Sequence, residues 1–145
     1  MKLDRLILEN RWLDAAELVR TGFKGRKDMT AIPALWWIVA GLRSGRSLKQ
    51  ATAAVTPIRA RIAPGDPLGA VLDAVLDHKP SKEALDDLSA LAEYRSLSYF
   101  FLAEYLKAQG KSAESLAMLK RCEAERNVYG IEYTIASIEA AGRKY

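Results

Sequence analysis

The sequence predicts an all-α fold. Apolar residues recur at three- and four-residue spacing along almost the whole chain, and no segment alternates convincingly with the two-residue period of a strand. Glycine and proline interrupt this pattern often enough that each uninterrupted piece is about one helix long. A chain of 145 residues, 50% apolar and 28% charged, is typical of one globular domain. We therefore expect residues 1–145 to form a single helical domain.

The first half of the chain predicts two helical hairpins. Residues 2–22 form the first, with a short first helix, a turn at residues 10–11 and a second helix that begins at Trp12. Residues 31–62 form the second. Within it, Pro57 predicts a kink or an early stop, because proline removes a backbone donor and clashes with the preceding turn of a helix.

The second half predicts two further hairpins and a closing helix. The third hairpin spans residues 67–94 and starts favourably, because the carboxylate of Asp66 caps free amides and Pro67 suits the first helical position. The fourth spans residues 96–125, and the join between the two contains neither glycine nor proline. Residues 128–141 are expected to form a helix that covers the end of the fourth hairpin.

The fourth hairpin has the most informative pattern in the chain. Large residues surround a small one on its first helix, a glycine ends that helix, and a small residue is again followed by larger ones on the second. These residues are Tyr99, Leu102, Ala103, Leu106, Gly110, Ser115, Leu119 and Cys122. The pattern resembles a tetratricopeptide repeat hairpin. The resemblance implies an α-solenoid of about nine helices, since such hairpins bury their apolar faces only by stacking on one another.

The small residue of the second helix recurs along the chain. It is found at Ala15, Ala51, Ala84 and Ser115, which are 36, 33 and 31 residues apart. The repeat of the tetratricopeptide family is about 34 residues long. The corresponding small positions of two first helices hold the larger Val39 and Leu72, which predicts an irregular superhelix.

The resemblance also implies a binding groove. In this family the first helix of each hairpin lines the concave face of the solenoid, and the matching positions here give a groove with aromatic ends and an acidic middle. The predicted groove residues are Trp36, Trp37, Arg43, Asp73, Asp77, Phe100, Phe101, Glu104 and Lys107. Burial between helices is the competing explanation for the two aromatic pairs, because a helix packed on two sides is apolar around most of its circumference.

A non-enzymatic scaffold or adaptor is the function that this groove predicts. A peptide or a partner helix would lie across it, with apolar anchors near the aromatic rings. An uncovered apolar edge would also allow the chain to form a homo-oligomer. The partner itself is not identified by the sequence.

Positive charge in the first half suggests an alternative. Residues 1–63 hold 12 Lys and Arg against 5 Asp and Glu, whereas residues 64–145 hold 10 against 13. The window of residues 29–65 contains no acidic residue, and its cations are Arg43, Arg46, Lys49, Arg59 and Arg61. With Trp36 and Trp37 nearby, this window has the charge and stacking groups that single-stranded RNA requires. Five cations over 37 residues are sparse, which disfavours nucleic acid as the partner.

Residues that carry chemistry are scarce. His78 is the only histidine and lies in a predicted loop, and Cys122 is the only cysteine and occupies a helix-packing position. Asp73 and Asp77 share one helical face but have no further oxygen ligands at the spacing of a metal-binding loop. We therefore predict no catalytic, cofactor-binding or metal-binding residue, and an enzyme remains only the third hypothesis.

The cellular location is predicted from two features, the charges near residue 1 and the length of the uncharged apolar runs. Asp4, Arg5 and Glu9 interrupt the apolar stretch that a signal peptide needs. The longest uncharged run, residues 29–42, is shorter than the about 18 residues of a spanning helix. A single cysteine excludes an intrachain disulfide. These features predict a cytoplasmic protein without a membrane segment.

Overall fold

The computed structural model describes residues 2–24, 26, 29–77, 92–127 and 130–142. All regular elements in these ranges are helices, and one isolated bridge pairs Met29 with Ile62. The predicted all-α class is confirmed. By its contacts the chain divides into two compact units, Met1–Lys79 and Pro80–Tyr145. The expectation of one domain stays a prediction.

The first unit contains five α-helices and one 3₁₀-helix among its described residues. They are α1 (Lys2–Leu8), α2 (Trp12–Phe23), α3 (Ala31–Arg43), α4 (Leu48–Val55), the 3₁₀-helix (Thr56–Arg61) and α5 (Gly69–Leu76). The predicted early stop at Pro57 is confirmed, because α4 ends at Val55 and the tighter 3₁₀-helix carries the proline. Helix α3 is the centre of this unit and contacts α2, α4 and α5.

The second unit contains three described helices, α6 (Ala92–Ala108), α7 (Ser112–Ala124) and α8 (Ile131–Ala140). Helix α6 runs without a break through residues 94–96, where the sequence placed the join between the third and fourth hairpins. Helix α8 packs on α7 and also contacts α6. Its role as the expected closing helix stays a prediction. The predicted loop at His78 and the small-residue position at Ala84 lie outside the described residues.

Short connections fold consecutive helices back on each other. Three of these turns contain a residue in the left-handed region, namely Asn10 (φ 59°), Gly45 (φ 94°) and Gly110 (φ 78°). Glycine adopts this conformation without steric cost, and asparagine tolerates it better than most residues. The start of α4 is fixed by a capping box in which the side chains of Ser47 and Gln50 bond each other's backbone amides. Each turn is short enough to make its two helices antiparallel neighbours.

Small side chains lie where neighbouring helices approach most closely. Ala103 and Ser115 are buried between α6 and α7, and the Ser115 hydroxyl donates a 2.7 Å hydrogen bond to the Ala103 carbonyl. In the first unit, a Cβ added at Gly41 would lie 3.2 Å from the Cβ of Ala51, so α3 and α4 approach closely at this point. The small-residue positions that the sequence predicted at 51 and 115 are therefore packing contacts.

None of the helices in the described ranges has the length and apolar character that crossing a bilayer requires.

Enlarging the small residue of the α6–α7 contact should destabilise the second unit. Ala103 is fully buried, so Ala103→Leu overpacks the contact and should lower the free energy of unfolding by about 1–3 kcal/mol. Ala117→Leu adds the same atoms to an exposed position of α7 and should change it by less than about 0.5 kcal/mol. Urea unfolding followed by circular dichroism measures both. Equal effects of the two variants would show that the contact is loosely packed.

Candidate functional site

The predicted groove residues of the first unit are largely engaged in packing. Trp36 is buried, and Trp37 is half-buried and stacks on Phe23 with ring centroids 5.9 Å apart and an interplanar angle of 26°. The Arg43 guanidinium lies 5.2 Å from the centre of the Trp12 ring, which is cation–π geometry. These contacts join α2 to α3 and leave Trp36 inside the core.

The acidic middle of the predicted groove is partly neutralised. The Asp73 carboxylate accepts two hydrogen bonds from the Arg59 guanidinium, at 2.5 and 2.9 Å, in a bidentate ion pair between the 3₁₀-helix and α5. This pair holds the pKa of Arg59 above its ordinary value. Asp77 follows α5 and is exposed. Asp73 therefore stabilises its own unit and offers little net charge to a partner.

The structure moves most of the predicted groove residues of the second unit into the core. Phe100 and Phe101 are 0% and 2% exposed and make an edge-to-face contact, with centroids 5.7 Å apart and an interplanar angle of 63°. Glu104 is 4% exposed, whereas Lys107 is exposed and lies 3.9 Å from the carboxylate of Glu139. Of the two explanations for the phenylalanine pair, the structure favours burial. Helix α6 is apolar around much of its circumference, which a groove assignment from spacing alone does not reveal.

The basic window is divided among different contacts. Arg59 pairs with Asp73, Arg43 lies over Trp12, and Arg61 donates to the Phe23 carbonyl at 3.4 Å. Arg46 and Lys49 are exposed near the start of α4. Two of the five predicted cations are thus held at aromatic or acidic partners within the unit, which reduces the charge available to RNA.

Cys122 has the environment of a structural thiol. Burial raises its pKa to about 12, while a 3.5 Å contact with the Ser96 hydroxyl acts in the opposite direction. A thiol with such a pKa is protonated at neutral pH and a poor nucleophile. Within the described ranges, His, Cys, Asp and Glu side chains form no group of three that could hold a metal ion. His78 lies outside those ranges.

Comparisons of the chain with protein-family models, curated proteins and solved structures find no match. The candidate site is therefore identified by its own geometry.

An apolar cleft of about 290 Å³ lies on the first unit, between α1, α2 and the start of α3. Its wall is mainly aliphatic and aromatic, and Arg26 and Thr30 add the polar groups at its edge. The apolar residues that line it are Leu3, Leu18, Val19, Phe23, Met29 and Pro33. Pattern analysis did not predict this cleft. The available signal was the pair Leu18 and Gly22, which are four residues apart and so share one face of α2.

Contacts over a long sequence distance position the residues at one side of the cleft. Met29 forms the isolated bridge with Ile62, and the Ala31 amide at the start of α3 donates to an Asp66 carboxylate oxygen at 3.2 Å. The other oxygen of Asp66 accepts from the Leu68 amide at 3.0 Å. These bonds fix the α2–α3 connection to the segment after the 3₁₀-helix. Trp37 stacks on Phe23 and so supports the wall from the α3 side.

Gly22 lines the cleft without a side chain to occupy it. It lies in the last turn of α2, and a Cβ added there would meet no atom within 4 Å. Glycine in a helix is less stable than alanine by up to about 1 kcal/mol. Neither packing nor a left-handed backbone therefore requires glycine at this position, and a larger side chain here would have open space beside the cleft.

A second depression, of about 380 Å³, lies around the turn between α1 and α2. Leu13 is 69% exposed at its edge. Its charged groups are already in contact with each other or with rings, because Arg11 bonds Asp14 at 2.7 Å and Arg43 lies over Trp12. Only Trp12 and Leu13 of its seven described lining residues are apolar, so the more apolar cleft is the better candidate site for an apolar ligand group.

A buried polar cluster joins α6, α8 and the connection between α7 and α8. The Glu132 carboxylate accepts hydrogen bonds from the Ser96 hydroxyl at 3.0 Å and from the Asn127 amide at 2.9 Å. A Cβ on Gly130 would overlap this carboxylate, so the glycine makes room for it. Burial raises the pKa of Glu132, and the nearby charge of Glu93 raises it further. The hydrogen bonds to the carboxylate act in the opposite direction and lower this pKa.

This cluster predicts a pH-dependent stability. Because the folded-state pKa of Glu132 is raised, its contribution is fully present below the unfolded-state pKa and is lost as the pH rises through the folded-state pKa. Glu132→Gln keeps the acceptor oxygen without the charge. Its melting temperature should exceed that of the wild type most at pH 8, and the difference should shrink as the pH falls towards 5.

A matched substitution at the exposed Glu114 of α7, Glu114→Gln, separates this effect from a general loss of negative charge. Thermal unfolding of the three proteins between pH 5 and pH 8 measures the profiles. Parallel wild-type and Glu132→Gln profiles would contradict the predicted coupling.

Proposed function

We propose that the chain is a non-enzymatic scaffold or adaptor that holds a short segment of another protein in the apolar cleft of its first unit. The observation that carries the proposal is the cleft itself, an apolar surface cavity of about 290 Å³ bordered by three helices. Exposed apolar concavities with a polar edge are typical of protein interaction sites.

The size of the cleft favours a side chain as its occupant. Pockets that enclose small-molecule ligands measure roughly 300–1,000 Å³. The cleft is just below that range and is open to the surface, so it suits one or two large apolar side chains of a bound segment. Interfaces concentrate their binding energy in such anchors, which fill a pocket and are desolvated on binding.

We also propose that the helices belong to a tetratricopeptide-like α-solenoid. Small residues at the α3–α4 and α6–α7 contacts, and the packing of α8 on the last hairpin, support this arrangement. Under this proposal the site differs from the predicted groove, because several of the groove residues are buried. A cytoplasmic location and self-association remain part of the same hypothesis.

Filling the cleft should abolish partner binding. Gly22→Met places a long side chain where a Cβ meets nothing within 4 Å, so the variant should fold and occupy the cleft with its own methionine. We expect the wild type to enrich peptides with a shared large apolar residue from a phage library of random 12-residue peptides. Fluorescence anisotropy should then show at least about tenfold weaker binding of these peptides to Gly22→Met.

Ala53→Met is the matched control. Ala53 is exposed on α4 and does not line the cleft, so binding should be unchanged while the added side chain is the same. Circular dichroism checks that both variants keep the helical content of the wild type. The proposal fails if the library yields no enriched peptide, or if Gly22→Met binds the selected peptides as tightly as the wild type does.

A further inference from the structure

We infer that the segment held in the cleft is acidic, with carboxylates close to a large apolar anchor such as leucine or phenylalanine. This inference rests on the proposed function and specifies the chemistry of the partner. It follows from the charges that surround the cleft and from how the rest of the first unit uses its arginines.

Three cations gather where α2 ends. Lys24 follows Phe23 directly and Arg26 lies two residues further on, both are exposed, and Arg26 lines the cleft itself. Arg61 reaches the same point from the 3₁₀-helix, since its guanidinium donates to the Phe23 carbonyl at 3.4 Å. Cations near a helix C-terminus stabilise the helix, which accounts for Lys24. It does not account for Arg26, which lies beyond the helix end and at the edge of the cavity.

Elsewhere in the first unit, arginines are mostly matched with carboxylates. Arg5 pairs with Glu9, Arg11 with Glu9 and Asp14, Arg20 with Glu17, and Arg59 with Asp73. Among the residues that the structure describes, no ion pair involves Lys24, Arg26 or Arg61. At several helix surfaces, arginines of this unit thus form ion pairs with carboxylates of the same unit. The cations beside the apolar cavity have no such carboxylate partner among the described residues.

Among the residues with a described position, nearby carboxylates are too few to cancel this charge. The Asp66 carboxylate accepts hydrogen bonds from the backbone amides of Ala31, at the start of α3, and of Leu68. Asp4 follows Leu3 on α1 and is half-buried. Among the described residues near the cleft, the two carboxylates Asp4 and Asp66 therefore oppose three cations. A segment that places an apolar side chain in the cleft therefore brings its neighbouring residues into a positive field.

The aliphatic wall distinguishes a peptide from other anionic ligands. Leu3, Leu18 and Met29 suit an aliphatic or aromatic side chain, whereas single-stranded RNA is bound by stacking of successive bases on flat surfaces. The flat groups of the lining are Phe23, whose ring already stacks on Trp37, and Arg26. The cleft is compact and lies on one unit, which fits one anchor and not a membrane-lying helix face.

Three labelled synthetic peptides test the inference on the full chain. The first has a central Leu-Phe pair flanked by two glutamates on each side within a Ser/Gly spacer, the second has lysine in place of every glutamate, and the third keeps glutamate but has Ala-Ala at the centre. We expect the acidic Leu-Phe peptide to bind about tenfold tighter than either of the others in fluorescence anisotropy at low salt.

Two charge reversals locate the effect. Arg26→Glu should weaken binding of the acidic peptide by about tenfold and strengthen binding of the lysine peptide. Lys49→Glu removes a positive charge from an exposed position of α4 that does not line the cleft, and should change either affinity by less than about twofold. Added salt should reduce the difference between the two peptides, because it screens exposed charges.

The outcomes separate the inference from the function on which it rests. The inference of an acidic partner is wrong if the library peptides whose binding Gly22→Met weakens carry neutral or basic flanks. It is also wrong if the acidic and lysine peptides bind equally. In both cases the cleft remains a binding site. If no peptide depends on Gly22, the proposed function fails as well. The inference would also be overturned if the chain bound oligo(U) or phosphatidylserine vesicles but not the acidic peptide, and if Arg26→Glu abolished that binding.

Discussion

Close approach of helices at small side chains is the constraint on which the rest of this structure depends. Ala103 and Ser115 bring α6 and α7 close enough to share a buried hydrogen bond. In the same way, Gly41 and Ala51 allow a close approach of α3 and α4. With the backbones this close, the larger side chains on either side are buried against each other. The cleft remains where α1, α2 and the start of α3 do not fill the space between them.

The helices and their contacts could be predicted because they depend on local patterns. Spacing of apolar residues gave the fold class, Pro57 marked the end of α4, and the small residues at 51 and 115 marked two helix contacts. The predicted groove was less successful, since an aromatic pair on a helix has the same spacing whether it faces solvent or a second layer of helices. Phe100 and Phe101 are buried because α6 has neighbours on more than one side.

The cleft could not be predicted because its geometry depends on bonds between distant residues. The Met29–Ile62 bridge and the Ala31–Asp66 hydrogen bond position the α2–α3 connection, and periodicity contains no information about either. Gly22 was visible only as a helix breaker, although its conformation is helical and the space beside it is empty. A glycine that lowers helix stability and fills no packing role is a reasonable place to look for function.

The central claim, that the cleft of the first unit is the binding site, is tested most directly by an amide NMR titration of the full chain with a library-selected peptide. The account predicts that the largest chemical-shift changes fall on Leu18, Gly22, Phe23 and Met29, which line the cleft. Amides around the buried Glu132 cluster of the second unit should remain unchanged. Shifts concentrated in the second unit, or none in the cleft at saturating peptide, would contradict it.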